Sequence, residues 1–235
     1  MGESVAPLKP RSPLIRASAL ALWAAVLLKS SVDGRLDLLL RATFHPLVLV
    51  AGLGLLAIAV LQAVLGWRQA EPGDRAGNRR DRRMALITAA IAALVLALPP
   101  TPSFADLAQQ RPSDDTATDS LSFTLPPAQR SLTDWVRLLR SQPDPELFKG
   151  DPVRISGFVL PVPGQQPQIA RLLVRCCLAD ATPVGLPVRW PTSGPAPKAD
   201  QWLAIEGRMA VEGKQLVVVP QRIRAIPRPA RPLEP

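Results

Sequence analysis

The only two cysteines of the chain, Cys176 and Cys177, are adjacent, and Asp180 follows three residues later. Adjacent thiols admit three interpretations. A disulfide is disfavoured, because the usual bridge joins Cα atoms farther apart than neighbours and a strand points successive side chains to opposite faces. A thiolate pair suits a soft ion such as Cu(I) or Zn(II). The plainest interpretation is a strand, with one thiol in the core and the other nearer the surface.

The rest of the chain limits the metal interpretation and gives no catalytic site. A zinc site needs three or four ligands, and Asp180 alternatively caps the turn that follows the cysteines. The sole histidine, His45, is expected at the membrane surface. The metal interpretation, with Cys176 and Cys177 as ligands, therefore requires a transient site or one shared with a partner. We find no HExxH motif, phosphate-binding glycine loop or plausible Ser-His-Asp set, and we expect a non-enzymatic protein.

The apolar residues, 47% of the chain, are concentrated in residues 1–100. Residues 45–67 carry no charge between positions 46 and 66, which meets the length needed to cross a bilayer. Shorter apolar segments flank it at 14–30 and 84–100. The pattern predicts three transmembrane helices in residues 1–100.

The basic residues predict the orientation of these helices. The connection between the second and third apolar segments contains six arginines: Arg68, Arg75, Arg79, Arg80, Arg82 and Arg83. Basic connections stay cytoplasmic. We therefore expect a multi-pass protein of the inner membrane with a cytoplasmic N-terminus and an extracytoplasmic C-terminal half. The net charge of +9 does not indicate nucleic-acid binding, because stacking aromatics do not accompany the arginines.

The C-terminal half has a different composition. Residues 101–130 are rich in Pro, Ser, Thr and Asp and predict an extended linker. Ser131 and Asp134 resemble a capping box for a short helix that ends before Pro143. Strand patterns follow at 153–162, 169–178, 184–190, 201–211, 214–220 and 222–227. We predict a small all-β domain over 131–228, an OB-like barrel with a leading helix, and a Pro/Arg tail at 229–235.

Residues 150–190 resemble the signature of a bacterial membrane-protein family, the YcgQ-like subunits of two-component permease complexes. The resemblance rests on a Gly-Phe-Val strand, an Arg-containing strand ending in Cys-Cys-x-Ala-Asp-Ala, and a Gly-x-Pro-Val strand. The residues that carry it include Gly157, Phe158, Arg171, Arg175, Cys176, Cys177 and Asp180. Two of them, Arg171 and Arg175, are expected on one strand face, at the surface or paired with Asp180.

The resemblance implies an accessory subunit that lies in the lipid bilayer beside a polytopic permease and assists solute transport from the extracytoplasmic face. Two alternatives remain open at this point. One is a metal- or thiol-handling membrane protein that uses Cys176 and Cys177 without a permease. The other is an envelope scaffold.

Overall fold

The computed structural model describes residues 13–69, 79–98, 101–111, 125–192 and 196–234. These residues fall into two compact units. The first lies within Met1–Leu36 and Ala42–Pro100, and the second within Asp37–Arg41 and Thr101–Pro235. The short segment Asp37–Arg41 therefore belongs to the C-terminal unit, although it connects two helices of the first.

The described part of the first unit contains the α-helices α1 (Pro13–Val32), α2 (His45–Gln69) and α3 (Arg79–Ala97). Two stretches are long and apolar enough to cross a membrane, Ile15–Val32 in α1 and Ala42–Gly66, which includes most of α2. Both are consistent with membrane anchoring. The apolar part of α3, Arg83–Ala97, is shorter. The third transmembrane crossing stays a prediction.

Two contacts organise the helical unit. A side chain at Gly52 would meet Leu28 Cδ2 at 3.0 Å, so glycine lets α2 pack closely on α1. Arg35, just after α1, donates hydrogen bonds to the carbonyl oxygens of Val95 (2.8 Å) and Leu96 (2.7 Å) at the end of α3. A cation here satisfies helix-end carbonyls that lack intrahelical partners. The end of α3 thus lies beside the connection that follows α1.

The C-terminal unit is built on a six-stranded sheet. Strands β1 to β5 follow the order β3-β2-β1-β4-β5, and all neighbours in this path are antiparallel. The short β6 pairs with β2 in parallel. The strands are β1 (Pro152–Leu160), β2 (Gln168–Leu173), β3 (Thr182–Pro187), β4 (Trp202–Glu212), β5 (Gln215–Ala225) and β6 (Leu233–Glu234).

The prediction of a small all-β domain is confirmed, but the prediction of a closed OB-like barrel was wrong. The outer strands β3 and β5 meet only at one isolated parallel bridge, between Val188 and Val218. Pro187 and Pro191 on one side and Pro220 on the other lack the N–H groups that a continuous ladder would use. The two segments predicted at 214–220 and 222–227 form the single strand β5.

Two short helices cover the sheet. α5 (Leu132–Ser141) begins with the predicted capping box, in which Ser131 and Asp134 bond reciprocally, and its Trp135 is fully buried. α4 (Phe104–Gln109) lies within the segment predicted to be an extended linker. It is helical because Ser103 caps its N-terminus and Phe104 is buried against the sheet. Residues 112–124 of that predicted linker lie outside the described residues.

Candidate functional site

The two cysteines lie in a loop between β2 and β3, residues 174–181, which we call the cysteine loop. The sequence predicted a strand over 169–178, but β2 ends at Leu173. Asp180 explains the early end. Its Oδ1 accepts the backbone N–H of Arg175 (2.9 Å), and its Oδ2 accepts those of Cys176 (2.8 Å) and Cys177 (3.4 Å). A carboxylate that takes up consecutive backbone N–H groups competes with a strand ladder.

This turn brings the thiols together instead of separating them. The Sγ atoms of Cys176 and Cys177 are 3.5 Å apart, and both cysteines are free. Cys176 is exposed and Cys177 half-buried, so the interpretation that places one thiol in the core was wrong. One ligand atom from each cysteine and one carboxylate oxygen of Asp180 all lie within 4.8 Å of one another. The arrangement brings two sulfurs and one oxygen close together.

The cysteine loop is held by the segment Asp37–Arg41. Leu40 forms an antiparallel bridge with Cys177. The N–H of Arg41 donates to the carbonyl oxygen of Cys176 (3.0 Å), and the N–H of Leu178 donates to that of Leu39 (2.7 Å). The backbone of the connection between α1 and α2 thus pairs with the loop on both sides of the thiols. Only the structure reveals this pairing, because nothing in the short segment marks it as a strand.

Asp180 affects the titration of the Cys176 thiol. Hydrogen bonding to Asp180, followed by hydrogen bonding to Cys177, raises the pKa of Cys176 to about 12. Burial raises the pKa of Asp180, but hydrogen bonds from the Cys176 thiol and from the backbone of Cys176, Arg175 and Cys177 outweigh it and leave the pKa below its ordinary value. Asp180 therefore stays ionised while Cys176 stays protonated at neutral pH. A protonated thiol is a poor nucleophile, which disfavours thiol exchange initiated by Cys176.

Gly157 and Phe158 shape the strands beneath the loop. A side chain at Gly157 would meet the carbonyl oxygen of Ala170 at 2.4 Å, so only glycine allows β1 to approach β2 this closely. Phe158 is fully buried and packs against Phe104 and Trp202, with ring centroids 5.8 Å away in each case. These two motif residues are part of the fold and do not line the site.

The motif arginines have separate positions. Arg175 lies in the cysteine loop, with an exposed side chain and its N–H on Asp180. Arg171 is only 8% exposed. It donates to the carbonyl oxygen and hydroxyl of Ser156 (2.8 Å each), lies 3.4 Å from Glu234 Oε1 and stacks over the Trp202 ring. The prediction that Arg171 and Arg175 share one strand face at the surface was wrong, because β2 ends between the two arginines.

Residues 125–229 match the family model of the DUF1980 C-terminal domain. This match covers less than half of the 235 residues and spans the predicted motif. No curated protein and no solved structure matches the chain. The DUF1980 C-terminal domain match omits three segments that the structure places in the same unit: residues 37–41, α4 and β6.

The remaining residues singled out from the sequence lie in the helical unit. His45 begins α2 and is not part of the group formed by the two cysteines and Asp180. Arg83 is exposed near the start of α3. Arg68 falls within α2, and Arg79, Arg80 and Arg82 fall within α3. Arg75 lies outside the described residues.

Proposed function

We propose that the protein is an accessory integral-membrane subunit of a two-component permease complex, and that its C-terminal sheet unit assists solute transport from the extracytoplasmic face. The observation that carries the proposal is the pairing of residues 37–41 with the cysteine loop. The connection between two apolar helices thereby becomes part of the unit that holds the residues of the YcgQ-like resemblance. A role beside a membrane permease fits a sheet unit that includes the connection between two apolar helices.

The same contacts support the proposed orientation. Residues 37–41 follow α1 and precede α2 and belong to the sheet unit, so the proposal puts this connection and the sheet unit on the same, extracytoplasmic side. Arg35 bonds the end of α3 beside that connection, which agrees with a third crossing in the same direction as α1. The arginine-rich connection after α2 is then cytoplasmic, as basic connections usually are.

The apolar helices also supply a surface for a partner. Large apolar side chains of α2, among them Leu47, Val50 and Leu61, are each more than half exposed. In a bilayer such side chains contact lipid or other transmembrane helices. A polytopic permease is the partner that the proposal requires.

The first test is a pull-down of the tagged full-length protein from solubilised membranes, followed by mass spectrometry. A similarly tagged inner-membrane protein with two spans serves as the control. The proposal predicts one polytopic protein in near-equal amount that is missing from the control. A soluble envelope protein as the sole specific partner would instead support the scaffold alternative, and recovery of no partner would overturn the proposal.

The orientation is tested separately, in a variant that lacks Cys176 and Cys177. Glu146 is exposed on the sheet unit, and Arg75 lies in the arginine-rich connection. We expect Glu146→Cys to react with a membrane-impermeant maleimide in intact cells and Arg75→Cys to react only after permeabilisation. The reverse pattern would reject an extracytoplasmic sheet unit.

One observation favours a second candidate function, metal handling without a permease. It is the group formed by Cys176, Cys177 and Asp180. The pull-down separates the two candidates, because metal handling alone requires no polytopic partner.

A further inference from the structure

We propose that Cys176, Cys177 and Asp180 bind one Zn(II) ion and leave its fourth coordination position open. Zinc takes thiolate sulfur together with carboxylate oxygen, and sites with three protein ligands keep a position for water or an incoming ligand. The chain places two sulfurs and one oxygen within 4.8 Å of one another without using its single histidine. Both thiols lose their protons when they bind the ion.

The separation of the sulfurs favours a tetrahedral ion. With zinc–sulfur bonds of about 2.3 Å and tetrahedral angles, the sulfurs of two thiolate ligands lie about 3.8 Å apart. The Sγ atoms of Cys176 and Cys177 are 3.5 Å apart in the structure. A Cu(I) ion held linearly between two thiolates would require a larger separation, because the sulfurs would then lie on opposite sides of the ion. The cysteine loop therefore needs less movement to bind zinc than to bind two-coordinate copper.

The third ligand is already positioned. Asp180 Oδ1 accepts one backbone N–H and Oδ2 accepts two, which fixes the direction of the carboxylate. A carboxylate has about four acceptor positions, which the three backbone N–H groups and the Cys176 thiol use. Loss of the thiol proton when zinc binds frees one of these positions for the ion. Hydrogen bonds that orient a ligand in this way raise the affinity of a metal site.

The loop backbone is positioned as well. The bridge between Leu40 and Cys177 and the bonds from Arg41 and Leu178 hold the main chain around both thiols. The ion would therefore bind to a loop whose main chain is held at both cysteines. Little backbone ordering has to accompany binding.

The exposure of the site indicates an ion that exchanges. Cys176 is exposed and Cys177 half-buried, whereas structural zinc sites are closed by four protein ligands. An exposed three-ligand site can pass its ion to a partner that offers a fourth ligand. The idea that zinc is the solute of the permease rests on the proposed function. The zinc-binding site itself does not depend on that function.

The experiment uses the full-length protein in detergent, reduced and stripped of metal. Zn(II) is titrated against a chromogenic chelator, and Co(II) replaces zinc for spectroscopy. The variants are Cys176→Ser, Cys177→Ser and Asp180→Asn, with Glu146→Gln as the matched carboxylate control, because Glu146 is exposed and distant in sequence from the loop. Cu(I) is titrated in parallel.

We expect one zinc per wild-type chain and tetrahedral Co(II) absorption with sulfur-to-metal charge transfer. Each serine variant should lose binding, Asp180→Asn should weaken it by about 10-fold to 100-fold, and Glu146→Gln should bind like the wild type. Half an ion per chain would indicate a site shared by two copies and would overturn the proposal. Zinc binding that is retained in the Cys176→Ser variant and in the Cys177→Ser variant would also overturn it. So would a wild-type protein that binds Cu(I) but not Zn(II). Failure here leaves the permease proposal standing, because recovery of the partner needs no metal.

Discussion

The substitution Phe104→Ala tests whether α4 is part of the sheet unit. Phe104 is 1% exposed, and its ring packs on Phe158 (centroids 5.8 Å apart) and Trp202 (6.1 Å). The carboxylate of Asp200 also accepts the N–H of Ala105 at 2.6 Å, which fixes the start of the helix. If these contacts hold α4 on the sheet, removal of the ring destabilises the whole unit.

The magnitude follows from the burial. Truncation of a buried phenylalanine to alanine costs about 3–5 kcal/mol, and aromatic pairs add roughly 0.5–1.5 kcal/mol each beyond their area. Arg228 also stacks on the Phe104 ring, and its exposed side chain can partly fill the space left behind. We therefore expect the lower value, about 3 kcal/mol, which is roughly a 150-fold change in the unfolding equilibrium.

The assay is urea unfolding of the full-length protein in detergent, followed by tryptophan fluorescence, since Trp202 lies against Phe104. With an m-value of about 2 kcal/mol/M, the midpoint of the sheet unit should fall by about 1.5 M. Leu147→Ala is the control, because Leu147 is 63% exposed and its truncation should cost at most about 0.5 kcal/mol. A Phe104→Ala midpoint equal to that of the control would refute the packing of α4 on the sheet.

Three further substitutions test the rest of the unit. Arg171→Met should lower the free energy of unfolding by roughly 3 kcal/mol, since the partly buried Glu234 loses its charged partner and keeps the hydrogen bond from the Thr133 hydroxyl. A midpoint like the wild type would contradict a structural role. Gly157→Ala should lower the free energy of unfolding by about 1–3 kcal/mol or prevent folding. Gly54→Ala is the control and should leave it unchanged, because a side chain there meets no atom within 4 Å. Equal effects of the two changes would argue against a close approach of β1 and β2. At pH 8 the Cys176 thiol, with its pKa at about 12, should be alkylated more slowly than the thiol of an unstructured peptide. Asp180→Asn should raise the alkylation rate of Cys176. An unchanged rate would exclude the Asp180 carboxylate as the cause of the slow reaction.

Local signals were sufficient to predict some elements. The capping box of α5 depends only on Ser131 and Asp134, and the β4–β5 turn at Gly213 needs a positive φ, which is 62° in the structure. The capping box was predicted correctly, and both features depend on residues that lie close together in sequence. The alternation of apolar residues likewise indicated most strands.

The candidate site depended on contacts that sequence patterns do not carry. Apolar alternation continues past Leu173, but Asp180 takes up the backbone N–H groups and ends β2 there. The partner of the cysteine loop, Leu40, lies more than 130 residues earlier in the chain. Asp180, three positions after Cys177, was the one local signal available. It indicated a capped turn, but it did not indicate that the two thiols would lie close together.

The motif residues divide into two groups with different expected effects. Gly157 and Arg171 fill the region where β1 departs from β2 and β6 takes its place, so they position the end of β2 from which the cysteine loop begins. Cys176 and Cys177 are not in the core and contribute little to it. Changes in the first group should therefore lower stability and zinc binding together, whereas serine at either cysteine should remove zinc binding and leave the unfolding midpoint of the metal-free protein unchanged. If the serine variants lose zinc binding but keep the unfolding midpoint, the cysteines form a metal site on a fold that is stable without them. If the midpoint falls as well, the fold itself needs its cysteines.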